Sequence, residues 1–267
     1  MTSPVVLTIA GSEATGGAGA QADLRTFQAH GVFGAVALTC IVSFDPNADW
    51  GHRFVPVERQ VIADQLEAIT AAYDQDQLAV TKIGMLGTPA TIETVAGVLR
   101  ERPFGQVVLD PVLICKGQEP GAALDTDTAL KAEVLPLATF VTPNHFEAES
   151  LSGLEIRSVE DLTEAARRIH ETSGAAVLAK GGVNLPGPDA VDVFVDGTTT
   201  EVLSSPKVGE VQVAGAGCTL AAAVAARLAL GDSPLEAARA AKAFVTAGIR
   251  ERLVSQAPFD VVRQQAV

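Results

Sequence analysis

Short apolar runs alternate along the chain with stretches in which apolar residues return every three or four positions. The runs are Val5–Ala10, Val36–Ser43, Ala79–Gly84, Val107–Ile114, Thr139–Thr142, Ala175–Ala179 and Val191–Val195. Several are apolar throughout, the pattern of parallel strands covered on both faces. Between them, Val57, Val61, Ile62, Leu66 and Ile69 share a helical face, and Ile92, Val95, Ala96 and Leu99 keep an i, i+3, i+4, i+7 spacing. Ser158 with Asp161 marks a helix start continued by Leu162, Ala166 and Ile169. Ser233, Pro234 and Glu236 mark another, with proline at the first helical position. Strand–helix alternation over the whole length predicts an α/β fold with a central, mainly parallel sheet. No linker, repeat or low-complexity tract interrupts it, so one domain over residues 1–267 is expected. The polar stretches Phe44–Pro56 and Gly117–Thr126 exceed tight connections and read as loops that close over a site.

Composition narrows the class. With 48% apolar and 19% charged residues, the chain can bury a sizeable core, which excludes disorder as its main state. A formal charge of −13 without a basic face argues against a nucleic-acid partner. No apolar run reaches the roughly 18 residues of a membrane span, and the N-terminus lacks the basic start of a signal peptide. Cys40, Cys115 and Cys218 are an odd number with no CxxC. They predict free thiols in a reducing, cytoplasmic compartment rather than disulfides or structural zinc.

The candidate chemistry lies in four glycine clusters, Gly11–Gly19, Gly84–Gly87, Lys180–Gly182 and Gly215–Thr219. Each follows a strand or opens a helix, and ligands gather outside the carboxyl ends of parallel strands. Neither GxGxxG with its acidic partner nor GxxxxGK[ST] is present, which excludes a dinucleotide fingerprint and a P-loop. Gly11–Gly19 reads equally as a packing turn or a binding loop. Gly215–Thr219 opens a helix, where N–H groups and the dipole suit a phosphate and would lower the pKa of Cys218. Small residues there also simply permit close helix packing. Asn144 and Glu147 read as a helix cap or as a magnesium-side pair, and these roles coexist. Asp110, before proline at a strand end, reads as a turn residue or a ligand. His30, His52, His145 and His170 show no metal spacing, and no GxSxG marks a hydrolase.

The segments AGSEATGGAGAQADLRTF, TKIGML, DPVLICKG, VTPNHFEAESLSG, AKGG, AVDVFVDG and GAGCTLAAA occur in the order found in the ribokinase superfamily. Together they resemble its vitamin kinase branch, which holds hydroxymethylpyrimidine (phosphate) kinase and the Bacillus-type pyridoxal kinase. The resemblance runs from about Val5 to the last helix. FDPNADWGH and ICKG are similar to the pyridoxal kinase side, and Phe44 stands where pyrimidine kinases place a glutamine.

This resemblance implies a three-layer α/β/α ribokinase-like fold and ATP- and Mg2+-dependent phosphorylation of a ring hydroxymethyl group. The small-molecule substrate would be pyridoxal, pyridoxine or pyridoxamine, and relatives imply a homodimer. Cys218 matches the position that acts on the hydroxymethyl proton, with Gly215, Ala216 and Gly217 completing an anion hole. Gly11, Glu13, Phe44, His52, Met85, Val112 and Cys115 match the substrate side. Asn144, Lys180, Gly181, Gly182 and Lys116 match the nucleotide side, and Asp110 and Glu147 the metal side. Cys115 and Cys218 are also candidates for adding to a substrate aldehyde as a hemithioacetal. Three departures stand out. Glu13 replaces the usual aspartate, the first loop reads EATGG, and Val213 and Ala214 replace Thr-His before the anion hole. They open two alternatives, a pyrimidine kinase and a weakly active vitamer-binding paralogue.

Overall fold

In the computed structural model, which describes residues 4–113 and 120–265, nine strands form one sheet in the order β3-β2-β1-β4-β5-β6-β7-β8-β9. The strands are β1 (Val5–Glu13), β2 (Phe33–Asp45), β3 (Gly51–Pro56), β4 (Val80–Ile83), β5 (Gln106–Leu109), β6 (Phe140–Val141), β7 (Ala176–Gly182), β8 (Asp189–Val195) and β9 (Thr200–Pro206). Pairings from β2 through β7 are parallel, while β3, β8 and β9 join antiparallel.

Among the described residues the α-helices are α1 (Gly19–Ala29), α2 (Arg59–Ala72), α3 (Pro89–Glu101), α4 (Pro120–Glu133), α5 (His145–Ser152), α6 (Val159–Ser173), α7 (Ala216–Ala229) and α8 (Pro234–Arg250). They cover both sheet faces. In β1, Val5, Leu7 and Ile9 point into one core with Ile62, Leu66, Ile92 and Val95, whereas Val6 joins the opposite core with Phe27, Val224 and Phe244. Residues alternate between faces, and both faces are apolar, which explains the unbroken apolar runs. From Thr219 to Ala226 every residue of α7 is buried. Its alanines let it lie close to the sheet, α1 and α8. The expected three-layer α/β/α arrangement is observed.

The sequence boundaries shift at four places. Phe44–Pro56 is a hairpin rather than a loop, with Phe44 opposite His52, Asp45 opposite Gly51, and an Arg53–Asp45 ion pair. Its tip turns through Asp49 and Trp50, both at positive φ. The expected loop Gly117–Thr126 is helical from Pro120, where proline suits a helix start and Leu130 and Val134 face the core. Strand β5 stops at Leu109. Asp110 N–H still reaches the Ile83 carbonyl at 2.8 Å, but Pro111 has no N–H to continue the ladder. Strand β9 is an edge strand with only Leu203 buried, too polar to stand out in the sequence.

Candidate active site

The carboxyl ends of the parallel strands deliver Gly11 and Glu13 (β1), Met85 (after β4), Asp110 and Val112 (after β5), Asn144 (after β6) and Lys180–Gly182 (β7) to one place. The N-terminus of α7 faces them with Gly215, Ala216, Gly217 and Cys218, and the β2–β3 hairpin adds Phe44 and His52. These residues, with Glu147, line a cavity of about 620 Å³. The remaining two expected site residues, Cys115 and Lys116, lie outside the described residues.

The two main glycine clusters pack backbone against backbone. Gly215 has φ +81°, and a Cβ there would fall on the Gly17 carbonyl oxygen. A Cβ on Gly19, at φ +60°, would fall on the Gly11 carbonyl oxygen. Left-handed geometry and close approach together require glycine at both positions. Ala216 N–H donates to the Val213 carbonyl at 3.3 Å and Thr219 N–H to the Gly215 carbonyl at 2.9 Å. In the first turn of α7 the N–H groups of Gly217 and Cys218, which have no preceding intrahelical carbonyl, are therefore the donors available to the cavity.

Behind that turn lies a charged floor. Lys180 Nζ is 3.1 Å from Asp110 Oδ1, and Thr142 Oγ1 donates to the same oxygen at 3.3 Å. A Cβ on Gly217 would sit 3.4 Å from Lys180 Nζ and 3.9 Å from both Asp110 carboxylate oxygens. Burial opposes charge on Asp110, but Lys180 and Lys82 outweigh it and hold its pKa below the ordinary value. Glu147 and Asn144 form a reciprocal cap. Asn144 N–H donates to Glu147 Oε2 at 2.7 Å, and Glu147 N–H to Asn144 Oδ1 at 2.9 Å. Burial pushes the Glu147 carboxyl up to about 7, against the pull of Lys180.

Two expectations change in detail. Burial pushes the Cys218 thiol up to about 11, despite the helix end, the charge of Lys82 and a backbone hydrogen bond from Gly19. The lowered thiol pKa expected from the helix dipole is therefore not found, because the loss of water around the half-buried thiol outweighs it. Glu13 lines the cavity, yet its carboxylate is occupied by its own loop. Thr15 N–H and Oγ1–H donate at 2.6 and 2.8 Å, and Gly17 and Ala18 N–H at 2.9 and 3.2 Å. The extra methylene relative to aspartate is accommodated by this wrapping loop.

Sequence reasoning missed three contributors. Lys82 is fully buried, lines the cavity and pairs with Asp23 at 2.9 Å, while Thr8 Oγ1 donates to Asp23 at 2.6 Å. A lone lysine inside an apolar strand was the available signal. Lys242 lines the far end, bonded to Asp192 at 2.8 Å and to the Ala190 carbonyl at 2.9 Å. Phe259 reaches the cavity from the C-terminal segment, and no local pattern marks it.

The sequence profile of the family described as Phosphomethylpyrimidine kinase matches residues 13–260. The chain belongs to the phosphomethylpyrimidine kinase family. Among the relatives, the pyridoxine kinase of Bacillus subtilis is 46% identical over 246 residues, covering 92% of this chain and 90% of that protein. The structure of the pyridoxal kinase from Staphylococcus aureus in complex with AMP-PCP and pyridoxal superimposes with a TM-score of 0.90 at 37% identity, covering 100% of this chain and 95% of that one. The phosphomethylpyrimidine kinase of Clostridium difficile 630 gives a TM-score of 0.78 at 32% identity over 92% of this chain and 99% of that one. Within the phosphomethylpyrimidine kinase family, this backbone thus follows the pyridoxal kinase more closely than the pyrimidine enzyme.

Proposed function

We propose that the chain is an ATP-dependent kinase that phosphorylates the 5′-hydroxymethyl group of pyridoxal, pyridoxine or pyridoxamine. One observation carries the reading: a single cavity joins an aromatic end, formed by Phe44 and His52, to an anion-binding end at the first turn of α7. The 46% identity to a pyridoxine kinase and the fold of a pyridoxal- and AMP-PCP-bound relative support it.

The ring would lie at the end formed by Gly11, Phe44, His52, Met85 and Val112. The phosphates would meet Gly215, Ala216, Gly217, Lys180, Gly181 and Gly182, with Asn144 and Lys116 on the nucleotide side. Phosphoryl transfer spreads charge over the moving oxygens, and the N–H groups of α7 with the Lys180 ammonium are preorganised to stabilise it. Cys218 would stand at the hydroxymethyl group. Its high pKa keeps it a thiol at neutral pH, so it positions the hydroxyl by hydrogen bonding. It can take the hydroxyl proton only as the thiolate, after its own proton has passed to water. A loose transition state needs little proton removal beforehand.

Asp110 and Glu147 are the carboxylates that would hold Mg2+. No cluster of three or more His, Cys, Asp or Glu exists among the described residues. That fits a metal taking its remaining ligands from water and phosphate. When bound, the ion would neutralise phosphate charge. The family resemblance supports a homodimer, and three cysteines without CxxC support a reducing cytoplasm. Light scattering tests the dimer.

The second reading is a hydroxymethylpyrimidine (phosphate) kinase, favoured by the description of the matching family. Phe44 opposes it, since an apolar ring leaves a buried amino group unsatisfied. A coupled assay with ATP–Mg2+ against pyridoxal and hydroxymethylpyrimidine decides. Faster turnover of pyridoxal is expected. Preference for the pyrimidine reverses the assignment, and binding of either without turnover marks a vitamer-binding paralogue.

A further inference from the structure

The segment after α8 touches both ends of the catalytic cavity. Leu253 and Val261 exchange backbone hydrogen bonds at 2.8 and 3.0 Å. Ala214 N–H donates to the Asp260 carbonyl at 2.9 Å, and Val262 N–H returns to the Ala214 carbonyl at 3.0 Å. Gln264 Nε2 donates to Thr219 Oγ1 on α7 at 3.0 Å. Residues 260–264 are thus fixed to the backbone that leads into the anion hole. One residue earlier, Phe259 turns toward the β2–β3 hairpin. Its ring centroid lies 5.2 Å from Phe44 and, edge-on, 6.0 Å from Trp50. Phe44 in turn lies 4.7 Å from His52. Phe44, His52 and Phe259 all line the cavity.

The hairpin needs this support. Strand β3 is an edge strand without a fully buried residue. A two-stranded hairpin is marginal by itself, and the Arg53–Asp45 pair is solvent-exposed on the arginine side and contributes little. Ring–ring contacts with Phe259 add an apolar hold on its tip. The segment that supplies Phe259 is anchored independently, through backbone bonds at Ala214, so its ring is a fixed post for the hairpin to pack against.

We propose that Phe259 is a specificity-determining residue, which walls the ring end of the cavity and holds the Phe44–Trp50–His52 hairpin over a flat heteroaromatic substrate. The inference rests on the kinase reading for its substrate and on the ring geometry for its clasp. Trp50 is the only tryptophan in the chain, so its fluorescence reports the clasp without turnover.

The test compares wild type with Phe259→Ala, Phe259→Leu and the control Val254→Ala, whose side chain is 82% exposed. In Phe259→Ala, losing the ring contacts should raise KM for pyridoxal about tenfold while leaving KM for ATP within about twofold. Trp50 emission should shift to the red, and trypsin should cut faster at Arg53. Phe259→Leu keeps apolar volume and should fall between, which guards against a folding defect. Val254→Ala should match wild type. Unchanged KM for pyridoxal, or an equal rise in KM for ATP, overturns the specificity role. Unchanged emission and cleavage overturn the clasp. If wild type turns over neither vitamer nor pyrimidine, the kinase reading fails while the Trp50 readout still decides the clasp.

Discussion

The Lys180 ammonium lies 3.1 Å from Asp110 Oδ1, under the first turn of α7 and nearly out of contact with water. A buried pair of this kind is costly to halve. Lys180→Met should destabilise the protein by about 3–5 kcal/mol, because it strands the Asp110 charge. The double variant Lys180→Met with Asp110→Asn should recover much of that stability in urea titrations, yet remain inactive. Recovery of both stability and activity would show that the pair serves only the fold.

Cys218 is half-buried at the cavity wall, with its thiol pushed up to about 11. Cys218→Ala should lower kcat by about 10²–10⁴, the usual range for a lost proton acceptor, with little change in KM for the ring substrate. The anion-hole N–H groups survive the change, so nucleotide binding should persist in calorimetry. A near-normal rate would remove Cys218 from the reaction.

Gly215 is held at φ +81° against the Gly17 carbonyl. Gly215→Ala meets both backbone strain and a clash with main chain that cannot rotate away. Left-handed strain alone costs about 1–2 kcal/mol, so thermal unfolding should drop sharply or the variant should fail to fold. An unchanged melting temperature would contradict the close packing of the two glycine motifs.

Glu13 accepts four hydrogen bonds from its own loop. Glu13→Gln replaces a carboxylate with a neutral amide and should cost about 1.5–3 kcal/mol, the worth of a charge-assisted bond. Limited proteolysis should find the Ala14–Ala18 loop cut sooner. Glu13→Asp, one methylene shorter, should fall between the two.

His30 ends α1 with Nδ1 2.9 Å from the Thr26 carbonyl and its ring 4.5 Å from Phe244. Burial holds its pKa below the ordinary 6.5, with Arg227 adding to the effect. Below 6.5 the unfolded chain therefore binds more protons than the folded one. The stability contributed is present above about pH 6.5 and lost as pH falls through the folded value. Wild type should lose more stability than His30→Gln between about pH 7.5 and 5 in urea titrations. Parallel losses would place the acid sensitivity elsewhere.

Local order was legible in the sequence because it is set by near neighbours. The apolar runs gave the parallel strands, the 3.6-residue pattern gave α2, α3 and α6, and Ser233, Pro234 and Glu236 open α8 as expected, there with a reciprocal cap. Motif order pointed to the family, and all sixteen expected site residues within the described segments line one cavity. Edge strands β3 and β9 escaped notice because one-sided burial leaves little apolar signal, and α4 did because Gly121 and polar residues masked its start. What tertiary structure alone decided depends on distant residues meeting. It set Gly17 against Gly215, paired Lys82 with Asp23, and brought Phe259 to Phe44 across most of the chain. It also reversed the expected sign of the Cys218 shift, since a helix end is visible in a sequence and the groups that keep water from its thiol are not.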